Sequence, residues 1–362
     1  MKFIHIADVH LGATPDSSMP WGEARQKEVW DSFKNIIKAC NEKKVDLLLI
    51  AGDLFHRQPL VRELKEVNYY FSTLETARVV IMAGNHDYIG TRSNYNGFEW
   101  DERVHMFLSD RLEAVNFPDI KTAVYGFSYL TRDIREAKYD GIEKLKNMQA
   151  TQENINILLA HGGDEKNIPI NRKKLLGLGF DYIALGHIHK PEIISNTMAY
   201  SGSLEPLDKN ETGQRGYILG RIRTNEEGEG RKTEISFVNN SIREYKRLTI
   251  TVNQETTNGK LQDQIKDEII KNGNQHIYKV HIEGFRDEKI CFDKEPLYSL
   301  GNIRELVDES VPDYDFDKLY KENSDNILGM FIEKIRESSK DDDVARKALY
   351  YGIEALLGAK EK

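Results

Sequence analysis

Short aliphatic runs that close near glycine alternate along this chain with longer stretches whose apolar residues recur every three or four positions. The short runs are residues 2–7, 46–51, 79–83, 155–160 and 182–185, all rich in Ile, Leu and Val. Continuous apolar runs of this length suit strands covered on both faces, as parallel sheets require. Over 24–43, Val29, Trp30, Phe33, Ile36, Ile37 and Cys40 share one helical face, and over 60–76 Leu60, Leu64, Val67, Phe71 and Leu74 do the same. Those two faces suit core packing or self-association equally well. Residues 193–201, 216–222 and 233–238 read as further strands, with the charged stretch 224–232 as a solvated hairpin loop. The alternation predicts an α/β fold over 1–240.

Beyond 240 the pattern changes. Segment 247–252 reads as a strand, 260–271 as an amphipathic helix and 277–283 as another strand, which predicts a small α+β unit over 241–313. The remainder, 314–362, reads as helical. Ile327, Met330, Phe331 and Ile335 recur at helix spacing, and Asp341–Asp343 stands where an N-cap belongs before a helix over 344–357. These stripes suit a local core or the docking of a partner's coiled coil. Docking is the favoured reading, because the helices follow a unit that is complete without them.

At 362 residues the chain exceeds a usual single domain, in keeping with that division. No apolar run approaches the roughly 18 residues of a membrane span. The opening MKFIHIADVH lacks the long apolar stretch of a signal peptide. Cys40 and Cys291 are the only cysteines and lie far apart, which argues against a disulfide framework or a thiolate metal site. Both read as small buried hydrophobes, and a cytoplasmic location is expected. A net charge of −8 argues against bulk attraction to nucleic acid, so a locally positive groove or bound metal ions would have to supply it.

The chemistry concentrates in five segments at or just after the predicted strand ends: Asp8-Val-His10, Gly52-Asp53-Leu-Phe-His56, Gly84-Asn85-His86-Asp87, His161-Gly-Gly and Gly186-His187-Ile-His189. Six of the ten histidines fall inside them, which scattered surface histidines would not produce. Each segment alone has a plainer explanation: a capping aspartate, a strand-to-helix turn, a hydrogen-bonded strand-end histidine. Five in one chain, each after an apolar strand, make coincidence a poor account. Ligands gather at the carboxyl ends of strands in open α/β sheets, so the five loops can share a crevice. Oxygen and imidazole donors without thiolate suit Mn, Fe, Zn or Co, and affinity order alone does not choose among them. Manganese is the expected pair. Two such ions about 3.5–4 Å apart clamp a phosphate and activate water. Asp53, central in the ligand order, is the candidate bridge.

In order and spacing the segments resemble the calcineurin-like metallophosphoesterase family over about residues 1–205. Within it, Ile4-His5-Ile6-Ala7-Asp8-Val9-His10-Leu11-Gly12, Gly52-Asp53-Leu54-Phe55-His56 and Ser201-Gly202-Ser203-Leu204-Glu205-Pro206 are similar to the SbcD-type DNA repair nucleases and their YhaO-like relatives. Ser201 stands before Gly202 where the family often has proline, a minor departure. The resemblance implies a two-sheet α/β sandwich with outer helices, followed by a capping domain that binds DNA and a helical piece that binds the partner. It implies one metal held by Asp8, His10, Asp53 and His189 and a second held by Asp53, Asn85, His161 and His187. His86 would face the scissile phosphate, Asp87 would orient His86, and His56 would help position the strand. It further implies DNA as substrate, an SMC-like coiled-coil ATPase as partner, and a homodimer.

Outside the metal shell, Arg57, Arg62, Arg92, Lys190 and Arg215 flank the loops and are candidates for phosphates beyond the scissile one, or for plain surface charge. Tyr88, Tyr95 and Phe98 read better as closing a loop over the core than as stacking on a base. Arg172-Lys173-Lys174 reads as the solvated start of a short helix. Two alternatives stand beside the DNA nuclease: a phosphodiesterase for a small nucleotide or nucleotide-linked substrate, whose site would be a closed pocket, and an ATPase-bound scaffold that grips DNA and cleaves it poorly.

Overall fold

Strands that are aliphatic on both faces need cover above and below, and here a second sheet supplies one cover and helices the other. The computed structural model describes residues 1–142, 154–224, 230–338 and 342–360, in two units, Met1–Tyr245 and Lys246–Lys362. In the first unit, β1 (Lys2–Ile6), β2 (Leu47–Ala51), β3 (Arg78–Met82) and β4 (Val104–Met106) run parallel, in register Phe3↔Leu47, Leu47↔Arg78 and Val79↔Val104. The antiparallel pair β11 (Gly216–Thr224) and β12 (Arg231–Asn239) extends this sheet beyond β1. The second sheet has the order β5-β6-β7-β8-β10-β9, from β5 (Glu113–Phe117), β6 (Thr122–Gly126), β7 (Ile155–His161), β8 (Tyr182–Gly186), β9 (Glu192–Ser195) and β10 (Met198–Tyr200).

The pleat of each strand divides its side chains between two cores. Phe3, Leu47, Leu49, Val80 and Met82 point into the interface between the sheets, where they meet Val124, Ile157, Leu159, Tyr182 and Ala184. Ile4, Ile6, Leu48, Ile50, Val79 and Ile81 point the other way, onto Val29, Phe33, Ile36 and Cys40 of α1 (Gly22–Lys43) and Leu64, Val67 and Phe71 of α2 (Val61–Ser72). Core packing therefore accounts for both helix faces, although Leu60, Val61 and Tyr69 stay 40%, 45% and 63% exposed. The far face of the second sheet packs Tyr125, Leu158, Ile183 and Leu185 on Leu175 of α3 (Arg172–Gly177) and on Phe180. The fold is thus the expected α/β sandwich of two sheets with helices outside.

Several elements differ from the sequence reading. The single strand expected over 193–201 is the hairpin of β9 and β10, turned at Asn196 and Thr197. The second helix stops at Ser72 instead of Thr76. β4, β5 and β6 were not expected at all; β5 holds no fully buried residue and lies at the sheet edge, so it lacks a continuous apolar run. The hairpin over 224–232 is carried by the pairing of β11 with β12, while residues 225–229 lie outside the described residues. Cys40 is buried as expected, but Cys291 is exposed, because its segment after residue 286 runs outside regular structure.

In the second unit, α4 (Asn258–Asn272) lays Leu261, Ile265 and Ile269 on a sheet of β13 (Tyr245–Val252), β14 (Ile277–Arg286), β15 (Ile303–Asp308) and β16 (Val311–Pro312). Three helices follow, α5 (Phe316–Glu322), α6 (Ile327–Ser338) and α7 (Asp342–Lys360). Leu328, Ile332, Leu349, Tyr350 and Ile353 form their own small core. Ile327 and Met330 of the expected stripe face outward at 66% and 65% exposure, whereas Phe331 and Ile335 pack against that core. The expected N-cap position Asp341 lies outside the described residues.

Candidate metal centre

All five histidine- and carboxylate-bearing loops leave the carboxyl ends of parallel strands: β1, β2 and β3 from one sheet, β7 and β8 from the other. β2 packs across the interface on β7 and β8, which brings the two groups of loops together. The turns are tight. Asp8, His10, Asp53 and His187 all adopt positive φ, at 50°, 52°, 51° and 96°. Non-glycine residues hold such angles only where the surroundings impose them, and such strain gathers at functional sites. Gly186 is required by proximity: a Cβ there would strike the Ala51 carbonyl and stand 2.9 Å from His161 Nδ1.

Two donor groups meet at Asp53. On one side, Asp8, His10 and His189 bring ligand atoms within 4.8 Å of one another, with His10 Nε2 3.1 Å from His189 Nε2. On the other, the Asn85 side-chain oxygen lies 3.0 Å from His161 Nε2 and 3.2 Å from His187 Nδ1. Asp53 Oδ2 is 3.8 Å from His10 Nε2 and 3.5 Å from His161 Nε2, so one oxygen reaches both groups. Asp53 Oδ1 accepts the His86 amide at 2.8 Å, and both oxygens of Asp8 accept the His187 amide at 3.1 and 2.9 Å.

The ring nitrogens test whether this array fits metal ions. His161 Nδ1 donates to the Ala51 carbonyl at 2.8 Å, which turns Nε2 inward. His187 Nε2 donates to Asp164 at 2.6 Å, which turns Nδ1 inward. His189 Nδ1 donates to Glu211 at 2.6 Å, which turns Nε2 inward. Lone pairs of imidazole and amide oxygen therefore converge on one another and on a buried carboxylate. Such an arrangement calls for a positive charge in its midst, a proton or a metal ion. The ionisation preferences agree. Burial opposes a charge on Asp53, yet His161 and His10 hold its carboxyl well below the usual range. Burial likewise disfavours a charged His161, but Asp53 lifts it to about 9. Burial raises Asp8, and burial with the repulsion of Asp53 pushes Asp87 up to about 7. The donor set fits a dimetal centre of oxygen and nitrogen ligands.

His56 and His86 stand at the mouth, their rings stacked at 5.3 Å, each within ring contact of His10. His86 Nδ1 donates to the His56 carbonyl at 3.1 Å. Asp87, expected to orient His86, turns its carboxylate to the surrounding loops and not to the His86 ring. Its carboxylate accepts the Gly84 amide at 2.8 Å, the Phe55 amide at 3.2 Å and the Tyr95 hydroxyl at 2.8 Å, so it ties two metal loops together and leaves the His86 ring to the His56 carbonyl. Tyr95 is buried and Phe98 packs on Trp100 at 4.8 Å, so both close the loop as expected, while Tyr88 is half-buried. Among the basic candidates, Arg62, Arg92 and Lys190 are exposed. Arg57 is engaged by both oxygens of Glu63 at 2.9 and 3.2 Å. Arg215 is removed from the phosphate candidates: it is buried and donates to the carbonyls of Thr212, Gly213 and Gln214, where it braces its own loop. The partners Asp164 and Glu211 were not anticipated. Asp164 lies three residues beyond His161 and was within reach of the motif, whereas no local spacing points to Glu211.

Residues 1–191 match the calcineurin-like phosphoesterase family, and the chain belongs to it. That family uses a dimetal centre, which the convergent donors described above suit. Among curated relatives, the uncharacterized metallophosphoesterase YhaO of Bacillus subtilis is 32% identical over 240 residues, covering 60% of this chain and 57% of that protein. The DNA double-strand break repair protein Mre11 of Methanocaldococcus jannaschii is 33% identical over 224 residues, covering 58% of each. The SbcD component of the SbcCD nuclease of Staphylococcus epidermidis is 27% identical over 258 residues, covering 62% of this chain and 67% of that one. The match to YhaO and Mre11 thus spans less than three fifths of their length. Among the described residues no helix is long and apolar enough to cross a membrane.

Proposed function

We propose that this chain is a metal-dependent phosphodiesterase that cleaves DNA, as an exonuclease and also as an endonuclease, in repair. The observation that carries the proposal is the double donor array around Asp53, with two histidines at its mouth. Asp8, His10, Asp53 and His189 would hold one divalent ion, and Asp53, Asn85, His161 and His187 the other, with manganese favoured. When bound, the ions polarise the phosphate and lower the pKa of water. The protein supplies the rest. His86, fixed through Nδ1, keeps Nε2 for the phosphate, where it would donate to the departing oxygen. Asp87 holds the loop that carries His86, and His56 lines the path of the strand. Arg92 and Lys190 are free at the surface for flanking phosphates, and Arg57 joins them on leaving Glu63.

The names of the Mre11 and SbcCD relatives support DNA as substrate and a multisubunit assembly. The partner proposed is an SMC-like coiled-coil ATPase that docks on the C-terminal helices, where Ile327, Met330, Val344 and Tyr351 are exposed. Leu60, at the N-cap of α2, with Val61 and Tyr69 on the helix, offers a surface for a homodimer.

The test is hydrolysis of linear duplex, single-stranded and hairpin DNA with Mn²⁺, beside bis-p-nitrophenyl phosphate. DNA cleavage that falls by about 10²–10⁴-fold in His86→Ala, with metal still bound, is the expected result. Undiminished cleavage in that variant would remove His86 from the mechanism. Hydrolysis of the small ester alone would overturn DNA as the substrate of this chain acting by itself.

A further inference from the structure

His187 and His189 sit two residues apart on one strand-end segment, yet they present different nitrogens to the centre. His187 turns Nδ1 toward Asn85, at 3.2 Å, and His189 turns Nε2 toward His10, at 3.1 Å. An isolated neutral imidazole exchanges its proton between the two nitrogens, so something must fix each ring in the required form. In both cases a carboxylate sits on the opposite nitrogen. Asp164 Oδ2 receives His187 Nε2–H at 2.6 Å, and Glu211 Oε1 receives His189 Nδ1–H at 2.6 Å.

Both carboxylates are themselves anchored by their second oxygen. Asp164 Oδ1 accepts the amides of Lys166 and Asn167 at 2.7 and 2.8 Å, and Glu211 Oε2 accepts the amide of Leu207 at 2.9 Å. One oxygen is held by the main chain and the other holds the ring. The two carboxylates come from unrelated places, the loop after β7 and the loop between β10 and β11. Surface ion pairs formed by chance would not both select the nitrogen that faces away from the centre.

We propose that Asp164 and Glu211 are positioning residues, which lock His187 in its Nε2–H form and His189 in its Nδ1–H form and so assign one histidine to each ion. The proposal rests on the dimetal reading above, but its tautomer statement is testable in metal-free protein. Outer carboxylates of this kind set ring orientation and ligand basicity, and their loss costs roughly 10–100-fold in metal affinity. Each carboxylate serves one site. Glu211→Ala should weaken one Mn²⁺ ion and spare the other, and Asp164→Ala should weaken the other.

The experiment combines calorimetric Mn²⁺ titration of the full chain with ¹⁵N NMR of the histidine rings in metal-free protein. In the wild type, two ions bind, and His189 shows a protonated Nδ1 while His187 shows a protonated Nε2. In Glu211→Ala one of the two affinities falls by about 10–100-fold and the His189 tautomer becomes mixed; Glu211→Gln, whose amide oxygen still accepts the Nδ1–H, recovers most of both. A purely structural role for Glu211 would lower both affinities together and leave the tautomer alone. Wild-type tautomers in both Asp164→Ala and Glu211→Ala would overturn the proposal. A wild-type chain that binds no Mn²⁺, but whose tautomers shift in the variants, would keep the tautomer locks, overturn their assignment to two ions and sink the dimetal reading. If Glu211→Ala does not fold, Asp164→Ala carries the same two readouts, at the other ion and on the His187 tautomer.

Discussion

Gly186 is where the packing of the two sheets and the metal centre depend on the same few tenths of an ångström. A methyl group there would stand 2.8 Å from the Ala7 side chain and 2.9 Å from His161 Nδ1, and it would strike the Ala51 carbonyl. None of these neighbours is a flexible chain end. Ala7 and Ala51 are fully buried, and the His161 ring is held by the same carbonyl that the methyl would displace. Relief requires β8 to move away from β2, carrying His187 with it. Overpacking of this kind costs about 1–3 kcal/mol. For a unit of this size that is roughly 2–12 °C in Tm, at about 2–4 °C per kcal/mol. The catalytic effect should exceed the stability effect, because a misplacement of about 1 Å costs on the order of 10²-fold in rate. Gly186→Ala should therefore fold, melt several degrees lower, bind one Mn²⁺ weakly and hydrolyse bis-p-nitrophenyl phosphate at about one hundredth of the wild-type kcat/KM. Differential scanning calorimetry, metal titration and steady-state kinetics on one preparation check all of this. A variant with unchanged Tm and full activity would refute the claim that close approach of β2 and β8 sets the site.

Two further outcomes follow from buried polar groups. Tyr95→Phe removes a hydroxyl that donates to the buried Asp87 carboxyl at 2.8 Å, a loss of about 1.5–3 kcal/mol for a hydrogen bond to a charged group; urea unfolding at a pH well above 7, where Asp87 is ionised, should show it, and a change within about 0.3 kcal/mol would mean that the bond contributes nothing net. Burial lowers the pKa of His5 from 6.5 to about 3, so the unfolded chain takes up this proton first as the pH falls. Its contribution is complete above pH 6.5 and drains away toward pH 3, at about 1.4 kcal/mol per pH unit. The stability of His5→Gln should accordingly fall less steeply than that of the wild type between pH 6.5 and 4.5, and equal slopes would show that His5 is not buried as a neutral ring.

The ligand loops were legible because each combines a strand that is apolar on both faces with a glycine-bearing exit, and those two signals are local. The resemblance divided the histidines of Gly186-His187-Ile-His189 between two ions, and their rings do turn to different donor groups. What selects the nitrogen of His189 was hidden, since Glu211 reaches it only through the path of the loop after β10. The partners of Asp87 were hidden for a related reason. The resemblance paired it with His86, whereas the turn points its carboxylate back at Gly84, Phe55 and Tyr95. Arg215 followed the same logic: its charge suggested phosphate, while three carbonyls of its own loop surround it. In the second unit, β15 went unread because charged residues interrupt its apolar ones, which fits a strand whose faces are only partly covered.

The proposed chemistry requires two ions that share Asp53. Anomalous diffraction from crystals of the chain equilibrated with Mn²⁺ measures this directly. Two peaks are predicted on either side of Asp53 Oδ2, one ringed by Asp8, His10 and His189 and the other by Asn85, His161 and His187, with both weakened in Asp53→Asn. A single peak remote from Asp53, or none at millimolar Mn²⁺, would contradict it.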